Sequence, residues 1–347
     1  MEFRHRPRRI RISSALAILV GLSVTTYLFV ATGPAVVIGL LFDASYGVAV
    51  VIAFHVLQIL FDALAWRALL GAVVRPRLRI FMVLRWIREA TNNLLPVAQI
   101  GGEVVGARLL SLFGVGMAEA AASTAIDLTL EMLSQIGFTM FGIAVLMSFV
   151  PQSTPLWQAT TCALIGLSAL GFGFVAAQWA GLFRVIEQGL LRIGSRFGWR
   201  SLEQVAGLHQ AVIKIWRAPR PVLACGALHL VSWLLGGVEV MLACHYLGHD
   251  VSLRQAIVLE SLSQAMKSVG FAIPGGLGVQ EGGLLLLAPL CGLPAGDAMA
   301  LSLLKRLREM VLGVPALIAL HPIAVRAGRS NFCNAGDRKA AVNMEWP

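Results

Sequence analysis

Charge is scarce in this sequence: charged residues fill 13% of its 347 positions, while hydrophobic residues fill 57%. Soluble proteins carry roughly 25% charged residues. A chain this apolar cannot cover its surface with polar groups in water, so a soluble domain is excluded and lipid is its solvent. Lysine is nearly missing, with only Lys214, Lys267, Lys305 and Lys339 among 28 basic residues; the rest are arginine. The net charge is +10, yet the basic residues cluster between apolar runs and are not interleaved with aromatics. That pattern excludes a nucleic-acid partner and points to membrane topology. The five cysteines have no CxxC spacing, which excludes a disulfide framework and a zinc site. They read as small apolar residues in helices.

Catalytic signatures are also missing. There is no His-Glu-x-x-His, no Gly-x-Ser-x-Gly and no defensible triad order. Gly275-Gly276-Leu277-Gly278 lacks Gly-Lys-Ser/Thr, and Glu281 stands where a dinucleotide fingerprint needs its third glycine. His245 and His249 have metal-ligand spacing beside Asp250, but two histidines at a helix end are more simply interfacial. The expectation is a protein that is not an enzyme, with no catalytic residue, no cofactor and no metal.

What is present is a series of long apolar runs. Six are long enough to cross about 30 Å of hydrocarbon as helices: 12–32, 46–73, 117–150, 156–181, 221–247 and 296–325. The basic start, residues 1–11, mimics a signal peptide, but the following run is longer than a signal core and lacks a clear cleavage site, so it reads as a retained span. Basic clusters precede the first span, follow the second, separate the fourth from the fifth and end the chain. The intervening loops 33–45, 151–155 and 248–254 hold only Arg254. The positive-inside rule then places both termini of this multi-pass protein in the cytoplasm. Arg67, Arg75, Arg77, Arg79, Arg85 and Arg88 form the second cluster. Residues 183–218 read as a cytoplasmic helical connector on the headgroups, and 326–347 as a polar, unpatterned cytoplasmic tail.

Two stretches, 78–115 and 255–293, are not simple spans. Each is an apolar half, a Pro/Gly break and a second short apolar half. They align at one offset of 178 without a gap: Pro96 with Pro274, Glu103 with Glu281, Gly114 with Gly292, Glu119 with Asp297 and Glu131 with Glu309. The repeat unit is span, broken hairpin, span, covering about 46–150 and about 221–325 within a single membrane domain, 12–325. Three crossings separate the units, so their topology is opposite. The expected fold is all-α, with about six transmembrane helices, two broken re-entrant hairpins and an inverted repeat. Broken helices of this kind build transporter sites near the midplane. The plainer alternative is two pairs of short spans with extramembrane breaks.

Candidate substrate-binding residues follow from the breaks and from charge placed in lipid. They are Asn93, Pro96 and Glu103 in the first hairpin; Pro274, Gly275, Gly276, Gly278 and Glu281 in the second; and Glu131, Arg306 and Glu309 in the spans. Glu103 and Glu281 begin their second half-helices, so each is either a helix cap or a carboxylate facing a cationic headgroup or proton. Arg306 and Lys305 stand three and four residues before Glu309, which fits pairing within the helix.

The residues Asn93-Leu94-Leu95-Pro96 with Gly102-Glu103, and Ile273-Pro274-Gly275-Gly276-Leu277-Gly278-Val279-Gln280-Glu281-Gly282-Gly283, resemble the transmembrane domain of bacterial lysylphosphatidylglycerol synthases. The resemblance covers roughly 45–325. The first motif departs from it, carrying Val97-Ala98-Gln99 where a Pro-Gly-type turn is usual. Gly101-Gly102-Glu103 through Gln135 is similar to a hopanoid-associated subgroup. The resemblance implies a lipid flippase domain. The chain ends at Pro347, without room for the aminoacyltransferase domain of full-length synthases, so a stand-alone member is expected. Two functions follow: translocation of a membrane lipid without covalent chemistry, or an accessory subunit working with a lipid-synthesising enzyme, for example of hopanoids or aminoacyl-phospholipids.

Overall fold

The computed structural model describes residues 34–70, 76–95, 101–148, 206–270, 273 and 276–333, with scattered positions between 23 and 30 and between 158 and 188. Most of the expected first and fourth spans, the first part of the connector and the tail beyond 333 lie outside these. The described elements are all helices. In chain order they are α1 (Pro34–Asp43), α2 (Ser45–Ala68), α3 (Leu78–Leu94), α4 (Gly101–Leu112), α5 (Met117–Met147), α6 (Leu208–Trp216), α7 (Pro219–Tyr246), α8 (Leu253–Val269), α9 (Val279–Leu287) and α10 (Ala295–Cys333). The protein is an all-α membrane protein. By length and composition α2, α5 and α7 can each cross a membrane.

Local chemistry sets these boundaries. Pro219 and Pro221 open α7, where a missing N–H costs nothing. Ser252 accepts from Gln255 N and Gln255 Oε1 accepts from Ser252 N, at 2.8 Å for the second bond, which caps α8 at both orphan donors. Gly114 and Gly292 both take left-handed φ, +89° and +72°, and reverse the chain before α5 and α10.

Two expectations change here. Residues 33–45, expected as an outward loop, hold α1, because Pro34 opens an uninterrupted run of helix-compatible apolar residues. The sixth span does not stop near 325: α10 continues to Cys333, through Pro315, Pro322 and the arginine-rich segment expected to be unpatterned. Arginine and alanine are good helix formers, so the helix propagates past the apolar core.

The repeat is visible in the geometry. At the offset of 178, the starts of α4 (101) and α5 (117) fall on the starts of α9 (279) and α10 (295). The long helices α2 and α7 pack antiparallel: Gly47 meets Tyr246, His55 meets Glu239, and Asp62 meets His229. Their crossing is centred on Gln58 and Gly236, themselves 178 apart, where a Cβ on Gly236 would lie 3.4 Å from Gln58 Oε1. Each hairpin packs on the long helix of the other repeat, α3 on α10 and α8 on α5. Equivalent helices running in opposite directions are what an inverted repeat requires.

Both broken segments are antiparallel hairpins. Gly102 N donates to Asn92 Oδ1 at 2.8 Å, bringing α4 back along α3. Gly283 lies against Met266, and Gln255 Nε2 donates to Cys291 O at 3.0 Å, which does the same for α9 and α8. At 1.5 Å per residue, α4 and α9 are about 18 and 14 Å long, well short of the hydrocarbon thickness. Close approach depends on glycine here. A Cβ at Gly102 would stand 2.4 Å from the Arg88 carbonyl oxygen, a backbone atom that cannot swing away. Gly102→Ala is therefore expected to lower stability by about 1–3 kcal/mol. Thermal unfolding in detergent reads this, with Gly39→Ala, which meets nothing within 4 Å, holding or raising the midpoint.

Candidate functional site

The interior carries the charges and the exterior the apolar side chains. On α10, Lys305, Arg308 and Glu309 are buried while Met310, Val311, Val314 and Ile318 are exposed. A soluble helix has the reverse pattern; in lipid, charge turns inward to find partners.

The first hairpin builds half of the network. Arg85, Arg88, Glu89 and Asn92 recur at helical spacing on one face of α3. Arg85 donates to Glu131 at 2.7 Å and to Asp62 at 3.1 Å. Arg88 donates to Asp127 at 2.7 Å and to Glu103, and its guanidinium lies 4.4 Å from the Trp66 ring centroid. Asn92 Nδ2 donates to the other oxygen of Glu103 at 3.3 Å. His229 on α7 bridges Asp62 (3.1 Å) and Asp127 (3.0 Å). Arg85 and Arg88 belong by sequence to a cytoplasmic cluster, but both are buried ion-pair partners. The α3 stripe decides this, because it aims them at the carboxylates of α2 and α5.

The second repeat supplies the other half. Lys267 on α8 donates to Glu309 at 2.7 Å. Arg306 joins Glu309 (3.0 Å) to Glu281 (3.0 Å). Arg308 pairs with Glu239, which also accepts from Gln58. The pairing of Arg306 with Glu309 along one helix forms as expected. Lys305 does not follow: it pairs with Glu260 on α8, because its position turns it toward the second hairpin. Among the described residues the network holds nine carboxylates (Asp62, Glu89, Glu103, Asp127, Glu131, Glu239, Glu260, Glu281, Glu309) against six Arg and Lys cations (Arg85, Arg88, Lys267, Lys305, Arg306, Arg308).

At its centre lies a polar cavity of about 450 Å³. All three segments of each repeat reach it: α2, α3, α4 and α5 from the first, α7, α8 and α10 from the second. Asp62, Glu89, Glu103, Glu131 and Glu309 line it with Arg85, Arg88, Lys267, Arg308 and His55, with Asn92, Asn93, Gln135 and Gln264 between the charges and Leu128, Met132 and Trp233 as an apolar side. Gln135 Nε2 spans α5 and α8, donating to Gln264 O at 3.1 Å and Ser268 Oγ at 2.7 Å.

The sequence-derived candidates divide. Asn93, Glu103, Glu131 and Glu309 line the cavity. Arg306 and Glu281 stand behind its wall: Glu281 is fully buried, and its oxygens accept from Gly278 N at 2.7 Å and from Arg306. It is a helix cap in this structure, not a cavity carboxylate. Gly276 and Gly278 form the turn, with φ of +61° and +79°, and Gly276 is packed against the Lys267 stem. Pro96, Pro274 and Gly275 lie outside the described residues. Sequence reasoning missed His55, Asp62, Arg85, Arg88, Glu89, Glu239, Lys267 and Arg308 as site residues. Single polar residues inside apolar runs were the available signal.

Asp127, Cys225 and His229 bring metal-type ligand atoms within 4.8 Å of one another. Both Asp127 oxygens are already taken, one by Arg88 and one by His229, so the arrangement is that of an ion network. His245 and His249, the other histidine pair, separate to Asp250 (2.7 Å) and Asp297 (3.1 Å).

The sequence model of one family, described as the lysylphosphatidylglycerol synthase TM region, matches residues 14–316. No curated protein and no solved structure matches the chain.

Proposed function

The chain belongs to the lysylphosphatidylglycerol synthase transmembrane-region family, and on that premise we propose that it translocates a membrane lipid between leaflets, without covalent chemistry of its own. One observation carries the reading: a polar cavity inside an apolar bundle, walled by both hairpins of an inverted repeat. A headgroup cannot cross hydrocarbon unaided, and such a cavity offers it polar partners on the way. The acyl chains stay among the exposed apolar side chains. Glu89 and Glu131, whose side chains stay 25% and 20% exposed at the cavity, are carboxylates that an amine-bearing headgroup can meet there.

In this reading each hairpin is re-entrant and the protein is multi-pass in the bacterial inner membrane, with both termini cytoplasmic. A single cysteine at position 200 should then resist impermeant maleimide in intact cells, while one at Asp43 reacts; labelling at 200 overturns the orientation.

Translocation itself is tested in proteoliposomes with tail-labelled fluorescent lipids and a quencher added outside. The protein should give the quencher access to inner-leaflet label, fastest for a lysine-bearing phosphatidylglycerol. Asn93→Trp fills the cavity without removing an ion pair and should slow translocation at least tenfold while the protein still purifies folded. Equal rates for empty and protein-bearing vesicles would refute the reading.

A further inference from the structure

His55 is held between two carboxylates. Its Nδ1 lies 2.9 Å from Glu239 Oε2 and its Nε2 lies 2.9 Å from Glu89 Oε1. A neutral imidazole has one N–H and can serve one of these acceptors; serving both takes one further proton in the triad. The two ends differ. The Glu89 side chain is 25% exposed and lines the cavity, whereas the Glu239 side chain is 2% exposed and is held by Arg308 from α10 and Gln58 from α2. So Glu89 comes from α3, Glu239 from α7 and Arg308 from α10, and these, with Glu309 of α10, which lines the same cavities, are the charged groups around the ring.

A second observation is that the ring borders two cavities. His55, Glu89 and Arg308 also line a separate small cavity of about 10 Å³, between α2, α3 and α10. That volume is close to what one water needs. His55 and Glu89, with Asn93, Arg308 and Glu309, therefore border both the large cavity and a water-sized space beside it. His229 is the contrasting case. It too bridges two carboxylates, Asp62 and Asp127, but it is fully buried, lines neither cavity, and Asp127 is fixed by Arg88.

We propose that the His55–Glu89–Glu239 triad holds the proton that couples translocation: an amine-bearing headgroup takes Glu89 in the cavity, the Nε2–H of the imidazolium loses its acceptor, and that proton passes to cavity water, leaving a neutral imidazole that still donates from Nδ1 to Glu239. The inference rests on the transport reading above. Its physical basis is charge balance. A cation entering a poorly solvated network without losing one elsewhere adds uncompensated charge, whereas exchanging it for a proton leaves the total unchanged. Linkage makes the effect reciprocal, so bound proton weakens headgroup binding and bound headgroup weakens proton binding. Lipid and proton then move in opposite directions, one for one, with no net charge transferred.

The test uses the full chain in vesicles of phosphatidylethanolamine and phosphatidylglycerol, with a trace of tail-labelled lysyl-phosphatidylglycerol and a gradient of one pH unit. The readout is the steady ratio of label between leaflets, not the rate. One-for-one exchange drives label toward the leaflet facing the acidic side, to a limit of about tenfold per pH unit. In His55→Gln, whatever translocation remains should leave the leaflets equal. Equal leaflets in the wild type overturn the coupling and leave the transport reading standing. No movement of label under any gradient overturns the transport reading and the coupling with it. Adding the same lipid to the wild type in weakly buffered detergent should release about one proton per lipid bound; binding without release also overturns the coupling.

Discussion

Arg88→Ala is expected to be the most damaging single substitution in the described bundle. It leaves Asp127 without its 2.7 Å donor and Glu103 without its guanidinium, both in the interior, and removes the cation from the Trp66 face. Breaking a buried ion pair from one side costs about 3–5 kcal/mol, because the abandoned charge keeps its desolvation penalty. The unfolding midpoint in detergent should fall sharply, and α4 should separate from α3. Arg88→Lys keeps one positive charge but cannot reach two carboxylates with a rigid fork, so it should lie between the two. A midpoint within one degree of wild type for Arg88→Ala would show that the network does not hold the hairpin.

The second large effect separates two glutamates that the repeat makes equivalent. Glu103 lines the cavity, and Glu281 caps α9 and holds Arg306 behind the wall. Glu103→Gln keeps the shape and can still accept from Arg88 and Asn92, but removes a charge the headgroup would meet. A charged hydrogen bond is worth about 1.5–3 kcal/mol, so translocation should fall tenfold or more while the fold holds. Glu281→Gln should instead act on stability, by about 0.5–2 kcal/mol for the weakened cap plus the loss of one charge partner of Arg306, which Glu309 still holds, and leave the rate of the folded fraction near wild type. The vesicle assay and the detergent melt, run on both variants, distinguish these. The reverse assignment, with Glu281→Gln folded but inactive, would place the working carboxylate in the second hairpin.

Why the repeat is imperfect is itself informative. At the offset of 178, Asp127 corresponds to Lys305 and Glu89 to Lys267. The backbone is duplicated, but at these two positions the charge sign is reversed, whereas Glu103 and Glu281, and Glu131 and Glu309, keep theirs. In the first, cations on α3 meet anions on α5; in the second, Lys267 on α8 meets Glu309 on α10 in the same sense, while Glu260 on α8 meets Lys305 on α10 in the reverse. The one shared site is thus lined by different chemistry on its two sides.

Composition and periodicity were enough to place the chain in lipid, to locate α2, α5 and α7 within a few residues, and to find both broken segments with their common offset. Those features are local: an apolar run of sufficient length must be a helix in lipid, and a Pro/Gly break interrupts it wherever it lies. Partners across the bundle are not local. Arg85 and Arg88 read as topogenic charges, since a basic residue after an apolar run carries no mark of whether it faces water or a carboxylate 15 to 46 residues away. Lys305 fitted a bond to Glu309 and makes one to Glu260 instead, because helix–helix packing, not spacing along α10, sets which carboxylate lies nearest. Only the assembled bundle distinguishes Glu103 from Glu281, since the two share a motif position and each meets an arginine, but Glu103 also lines the open cavity while Glu281 lies behind its wall against Arg306.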